Sequence, residues 1–118
     1  MSAMRTRASV RLGVAAGLAA VFLSASHAES PAPSHLHSIV ISQLAFGKAP
    51  EVIHVGDAVE WENKDIFVHS ATADDKSFDV DMQPNRTARV VMRKAGTIHY
   101  ICKYHPGMTG DLVVTPAR

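Results

Sequence analysis

From His37 onward the chain runs in short apolar-polar alternations broken by Gly, Pro, Asn and Asp, and it keeps no apolar stripe of helical period. A period of two sends neighbouring side chains to opposite faces, so such segments bury one face as strands and cannot do so as helices. The pattern predicts strands at 37–42, 51–55, 58–63, 67–72, 77–80, 87–92, 97–102 and 110–115. Strands so spaced imply an all-β antiparallel sandwich or flattened barrel. Alternation also assigns faces: Val59 and Trp61 inward with Glu60 and Glu62 outward; Ala88, Val90 and Met92 inward with Arg89 and Arg93 outward. In TIHYIC, Ile98, Tyr100 and Cys102 share the inner face and leave Thr97 and His99 outside, so the thiol emerges at a strand end beside the core.

The beginning of the chain is of a different kind. Arg5, Arg7 and Arg11 lead into the apolar stretch Leu12 to Leu23, and Ser26-His27-Ala28 offers a small-x-small cleavage site, the layout of a secretory signal peptide cut after Ala28. The apolar run is about a dozen residues, against the roughly 20 that span a bilayer, so removal rather than anchoring is expected. Separated arginines fit the general secretory route. The expected organisation is a signal peptide over 1–28, a flexible Pro- and Ser-rich leader over 29–36, and one domain over 37–118 working in the periplasm. Without residues 1–28, nine Lys and Arg face eleven Asp and Glu, a balance of −2. That composition lacks the basic surface of a nucleic-acid binder and points to protein partners.

Export to an oxidising compartment makes the single cysteine informative, because it has no second cysteine to pair with. In YICKYHPGM, Cys102, His105 and Met108 stand at intervals of three, with Pro106 and Gly107 shaping a turn between the last two. Two imidazoles, a thiolate and a weak axial thioether suit copper that cycles between its two oxidation states. The sulfur donors favour the reduced ion, imidazole serves both, and an unchanged ligand set keeps reorganisation small. A second histidine must come from elsewhere. His54 and His99 alternate against apolar neighbours and are expected in solvent; His35 and His37 lie in or beside the leader; His69, after the polar turn in NKDIFVHSAT, is the best remaining choice.

Other readings of the same residues are plainer. Cys102 and Met108 also serve as core fillers. A zinc site needs no methionine, and a structural one prefers more Cys or His. A cysteine nucleophile with His105 as base lacks an evident orienting group. The pair His35 and His37 offers either a second copper grip near the amino terminus or two solvated rings. Met82, near Asp79 and Asp81, reads as a loop or rim side chain.

The stretches HSIVISQLAF, VIHVGDAVEWENKD (52–65), FVHSAT (67–72) and AGTIHYICKYHPGMTGDLVV (95–114) resemble the cupredoxins, the small blue-copper proteins, and most closely their amicyanin and plastocyanin-like group. The short His105-to-Met108 interval is similar to that of amicyanins rather than plastocyanins. The resemblance implies a Greek-key β-sandwich with one type 1 copper at one end, ligated by His69, Cys102, His105 and Met108. It implies that His105 is the solvent-edge electron port, ringed by apolar residues such as Pro106. The implied activity is a periplasmic single-electron shuttle and not an enzyme, a monomer off the membrane after processing. Its implied partners are redox proteins docked transiently, such as a c-type cytochrome and a periplasmic dehydrogenase, methylamine dehydrogenase being one in the family. A copper chaperone or buffer is the alternative. Ser70 departs from the family, where Asn often follows the first ligand histidine and braces the ligand loop, so the redox potential does not carry over.

Overall fold

The computed structural model describes residues 8–26 and 31–118, which belong to two units, 1–30 and 31–118. In the first, residues 8–26 carry no regular secondary structure, and among the described residues no helix is long and apolar enough to cross a membrane. Arg5, Arg7 and most of the expected cleavage site, His27 and Ala28, lie outside the described residues.

The second unit is all-β. Its described strands are β1 (Leu36–Ser42), β2 (Ala45–Phe46), β3 (Ile53–His54), β4 (Ala58–Asn63), β5 (His69–Ala73), β6 (Asp79–Met82), β7 (Thr87–Val91), β8 (Gly96–Ile101) and β9 (Thr109–Thr115). One sheet has the order β2-β1-β4-β7 and the other β3-β9-β8-β5-β6. The first strand begins at Leu36, inside the segment read as leader, and Ser34 N–H already bonds the Gly56 carbonyl at 3.1 Å.

The inward faces follow the alternation. Ile39, Ile41, Val59 and Trp61 from one sheet meet Ala71, Ile98, Tyr100, Leu112 and Val114 from the other, all buried. Burying a side chain such as Ile39 or Leu112 stabilises the fold by about 1.5–3 kcal/mol. Trp61, Phe78, Tyr100 and Phe46 form an aromatic group with ring centroids 4.6 to 6.0 Å apart, and Trp61 Nε1–H donates to Tyr100 Oη at 3.3 Å. On β7 the contrast is weaker, Ala88 and Val90 being only half-buried, because this strand lies at a sheet edge.

Three departures from the sequence reading have physical causes. The sandwich is not wholly antiparallel: β1 pairs parallel with β4, and β3 with β9. After β2 the chain places β3 in the opposite sheet and returns as β4 in the direction of β1, a crossover no tight hairpin could make. The two-residue strand β2 was not foreseen; it closes a hairpin through Gln43 and Leu44, both with positive φ (51° and 57°). That turn normally calls for Asn-Gly, and Gln-Leu gives no such signal. Met82 is core, 1% exposed, rather than a rim residue.

The strand directions define two ends. The loop between β8 and β9 lies at the end where β4 finishes, and the β3–β4 turn lies at the other with the residues after β9.

Candidate metal centre

The loop 102–108 is two linked turns. His105 N–H bonds the Cys102 carbonyl at 3.3 Å, Met108 N–H bonds the His105 carbonyl at 3.1 Å, and Cys102 N–H closes on the Met108 carbonyl at 2.9 Å. Each turn spans three residues, which is why the donors recur at that interval. Gly107, at φ +90°, supplies the left-handed step that lets the second turn close. His69 arrives from the start of β5, which runs antiparallel to β8 with Thr72 opposite Ile101, so the beginning of one strand lies beside the loop that leaves the end of its neighbour.

The structure brings three of the predicted donors together. His69 Nδ1 is 3.7 Å and His105 Nδ1 3.5 Å from Cys102 Sγ, and the three donor atoms lie within 4.8 Å of one another. Bonds of about 2.0 Å to nitrogen and 2.3 Å to sulfur, arranged trigonally, put nitrogen and sulfur about 3.7 Å apart, so the cluster fits a small metal ion. His69 and Cys102 are buried and His105 is half-buried. Met108, which ends the loop, is 4% exposed.

A shell of hydrogen bonds fixes these donors. His69 Nε2 lies 2.8 Å from Asp65 Oδ2; a carboxylate only accepts, so Nε2 carries the proton and Nδ1 keeps a lone pair for a metal. The same carboxylate accepts the N–H groups of Gln43 (2.7 Å) and Leu44 (2.9 Å), tying the β1–β2 turn to the site. The Leu44 bond is the main cause holding the Asp65 carboxyl below its usual range, with His69 and Gln43 helping and burial opposing. Asn63, fully buried, bonds the carbonyls of Phe67 (2.8 Å) and Met82 (3.0 Å) and accepts the Asp65 N–H at 2.9 Å. Asp65 and Asn63 were missed by sequence reasoning. Asp65 lies four residues before His69, but nothing local marks a carboxylate there as aimed at a ring.

Ser70 braces the loop from β5. Its N–H donates to Cys102 Sγ at 3.3 Å, and its Oγ accepts the Lys103 N–H at 2.9 Å. Outside the loop, Lys103 Nζ bridges Asp79 (3.1 Å) and Asp81 (2.9 Å), while Tyr104 Oη donates to Asp81 at 2.8 Å, so the loop is fastened to β6.

The remaining histidines divide. His99 is exposed and sits 2.6 Å from Asp111, as expected of an outward residue. His54 is not solvated: its side chain is 24% exposed and turns toward Asp57, because β3 is only two residues long and ends in a tight turn there. His35 and His37 lie at that same end, far from Cys102.

No protein-family profile matches the chain. Amicyanin-alpha of Methylorubrum extorquens is 34% identical over 103 residues, covering 81% of this chain and 86% of the relative. A reduced amicyanin variant and the Cu(I) form of another each superpose with TM-score 0.59 at 26% identity, covering 68% of this chain and 82% of theirs. The cluster of His69, Cys102 and His105 stands in a sandwich of the same fold. The chain therefore belongs to the amicyanins, cupredoxins that carry electrons on one type 1 copper rather than enzymes.

Proposed function

We propose that the protein is exported by removal of residues 1–28 and works in the periplasm as a one-electron shuttle. In this reading His69, Cys102 and His105 would hold the copper as the strong ligands, and Met108 would add a weak thioether donor. The observation that carries it is the cluster of His69 Nδ1, Cys102 Sγ and His105 Nδ1 within 4.8 Å, each held by the surrounding fold. Copper bound there supplies a Cu(II)/Cu(I) couple. The chain's own part is to keep the donors still: Asp65 holds the His69 tautomer, Ser70 N–H holds the sulfur, and the paired turns hold His105. Donors so braced change little between oxidation states, which favours fast electron exchange over release of the ion.

His105 is the contact with partners. Its ring meets Phe67 edge-on, centroids 5.9 Å apart, and exposed Ile66, Phe67 and Leu44 belong to the segments around it. A small apolar surface with His105 within it suits brief docking, which needs little buried area. The partners in this reading are a periplasmic dehydrogenase as donor, methylamine dehydrogenase being the family's example, and a c-type cytochrome as acceptor.

The test begins with copper. The oxidised protein turns intensely blue through thiolate-to-copper charge transfer, and Cys102→Ser removes the colour; a blue Cys102→Ser protein would refute the ligand set. Stopped-flow mixing of the copper-loaded, reduced protein with an oxidised c-type cytochrome then separates the roles. Rapid reduction of the cytochrome with return of the blue colour supports the shuttle, whereas no electron exchange together with ready copper transfer to an acceptor supports a chaperone or buffer.

A further inference from the structure

The outer face of the five-stranded sheet carries a polar network that ends on the cysteine. On β5, Ser70 and Thr72 lie on the face opposite Ala71 and Ala73, which join the core. β6 sets Asp79 opposite Thr72, and β8 sets Ile101 opposite Thr72, so Lys103, two residues past Ile101, arrives over the same face. Four residues close a ring there. The Lys103 N–H donates to Ser70 Oγ at 2.9 Å, and Ser70 Oγ lies 2.9 Å from Thr72 Oγ1. Thr72 Oγ1 donates to Asp79 Oδ1 at 2.9 Å, and Lys103 Nζ returns to that same oxygen at 3.1 Å.

The protons of this ring have one arrangement. A carboxylate only accepts, so the single hydroxyl proton of Thr72 goes to Asp79. Thr72 then offers Ser70 a lone pair and nothing else, and Ser70 donates its own hydroxyl proton to Thr72. The lone pairs of Ser70 Oγ are thereby turned toward the Lys103 N–H, which belongs to the peptide joining Cys102 to Lys103. The Ser70 N–H meanwhile donates to Cys102 Sγ at 3.3 Å. Ser70 thus grips the cysteine twice, at the sulfur and at the peptide behind it. It is fully buried, so a hydroxyl deprived of Thr72 has no solvent to turn to.

We propose that Thr72 is a positioning residue for the type 1 centre. Through the Ser70 hydroxyl, with Asp79 fixing the direction of the protons, it holds the Cys102–Lys103 peptide and keeps the sulfur against the Ser70 N–H. This rests on Cys102 being the copper thiolate. Hydrogen bonding around the cysteine sulfur tunes the potential of such a centre, because a donated N–H withdraws charge from the thiolate and so favours the reduced ion. Loosening that bond lowers the potential and lowers the energy of the thiolate-to-copper charge transfer.

The experiment compares Thr72→Val, which keeps the shape and removes the hydroxyl, with Thr72→Ser, which restores the hydroxyl. In the copper-free protein, amide exchange followed by NMR reads the Lys103 N–H, and Thr72→Val is expected to speed it about fivefold or more. In the copper-loaded protein the potential falls and the blue band moves to longer wavelength. All three readings return toward the wild type in Thr72→Ser. If Thr72→Val fails to fold, Thr72→Ala carries the same expectations. A Lys103 amide that exchanges as in the wild type, an unchanged potential and band, or changes that Thr72→Ser leaves unrepaired each overturn the proposal, even where Tm falls. If the unsubstituted protein binds copper without turning blue, the thiolate reading itself fails and the proposal falls with it, an outcome read before any substitution at Thr72.

Discussion

Cys102 Sγ accepts one backbone N–H, from Ser70 at 3.3 Å, and faces two imidazole nitrogens whose other edges are set by the fold. Each supporting residue has a separable effect. Asp65→Asn removes a negative charge beside the His69 ring, and oxidised copper loses more from that than reduced copper does. The potential measured by redox titration rises, and Tm falls because a neutral amide cannot accept from Gln43, Leu44 and His69 equally well. Met108→Gln exchanges a soft thioether for a harder amide oxygen; copper stays bound and the potential shifts downward, whereas loss of all copper would contradict an axial role. Ser70→Ala keeps the N–H to the sulfur but strips the Lys103 N–H of its acceptor, a loss of about 1 kcal/mol by denaturant titration. The loop that carries Cys102, His105 and Met108 was legible in the sequence because a turn lies wholly within three or four residues. Asp65 was not, because its roles depend on a hairpin and a strand that meet it only in space.

At the scale of elements, β8 and β9 carry the ligand loop, and their fit depends on one small residue. Gly110 pairs with Tyr100, and a Cβ at Gly110 would lie 2.6–2.7 Å from the Tyr100 ring. That ring is 1% exposed and wedged among Phe46, Trp61 and Phe78, so it cannot swing aside. Gly110→Ala is expected to destabilise by about 1–3 kcal/mol and to broaden the copper spectrum by displacing the loop. Leu112→Ala, in the same strand, opens a cavity and costs about 2–5 kcal/mol without changing the blue band. Thermal or denaturant unfolding of the copper-loaded variants measures both. Strand periodicity placed β4 and β8 to within a residue, since each has a fully buried face. The second hairpin partner β2 escaped because two residues show no period, and its turn is held by a distant carboxylate rather than by turn residues.

For the whole molecule, buried and bridged carboxylates set the response to acid. Asp57 is held far below its ordinary 3.8, chiefly by the Arg118 guanidinium, with burial opposing and His37 and the His54 N–H assisting. Asp65, Asp75 and Asp81 are also lowered, through Leu44, Ser77 and Lys103 respectively. These groups stay ionised in the fold where the unfolded chain takes up protons, so their stabilisation is complete above the ordinary value and is lost as pH falls beneath it. Calorimetry is expected to show a level Tm above about pH 5 and a decline below about pH 4. Asp57→Asn lowers the plateau and flattens the decline, and an unchanged slope would assign acid lability elsewhere. By itself the sequence determined the all-β architecture, the inward faces and the spacing of Cys102, His105 and Met108 in one loop, because period and turn chemistry act between near neighbours. The sequence had ranked His69 first among the histidines, but tertiary structure decided how it meets a sulfur 33 residues away, and it alone decided that Asp65 orients it and that three histidines gather on Asp57. Those meetings follow from sheet order and strand register, which are settled by packing two faces over the whole chain and leave no mark in any short stretch of it.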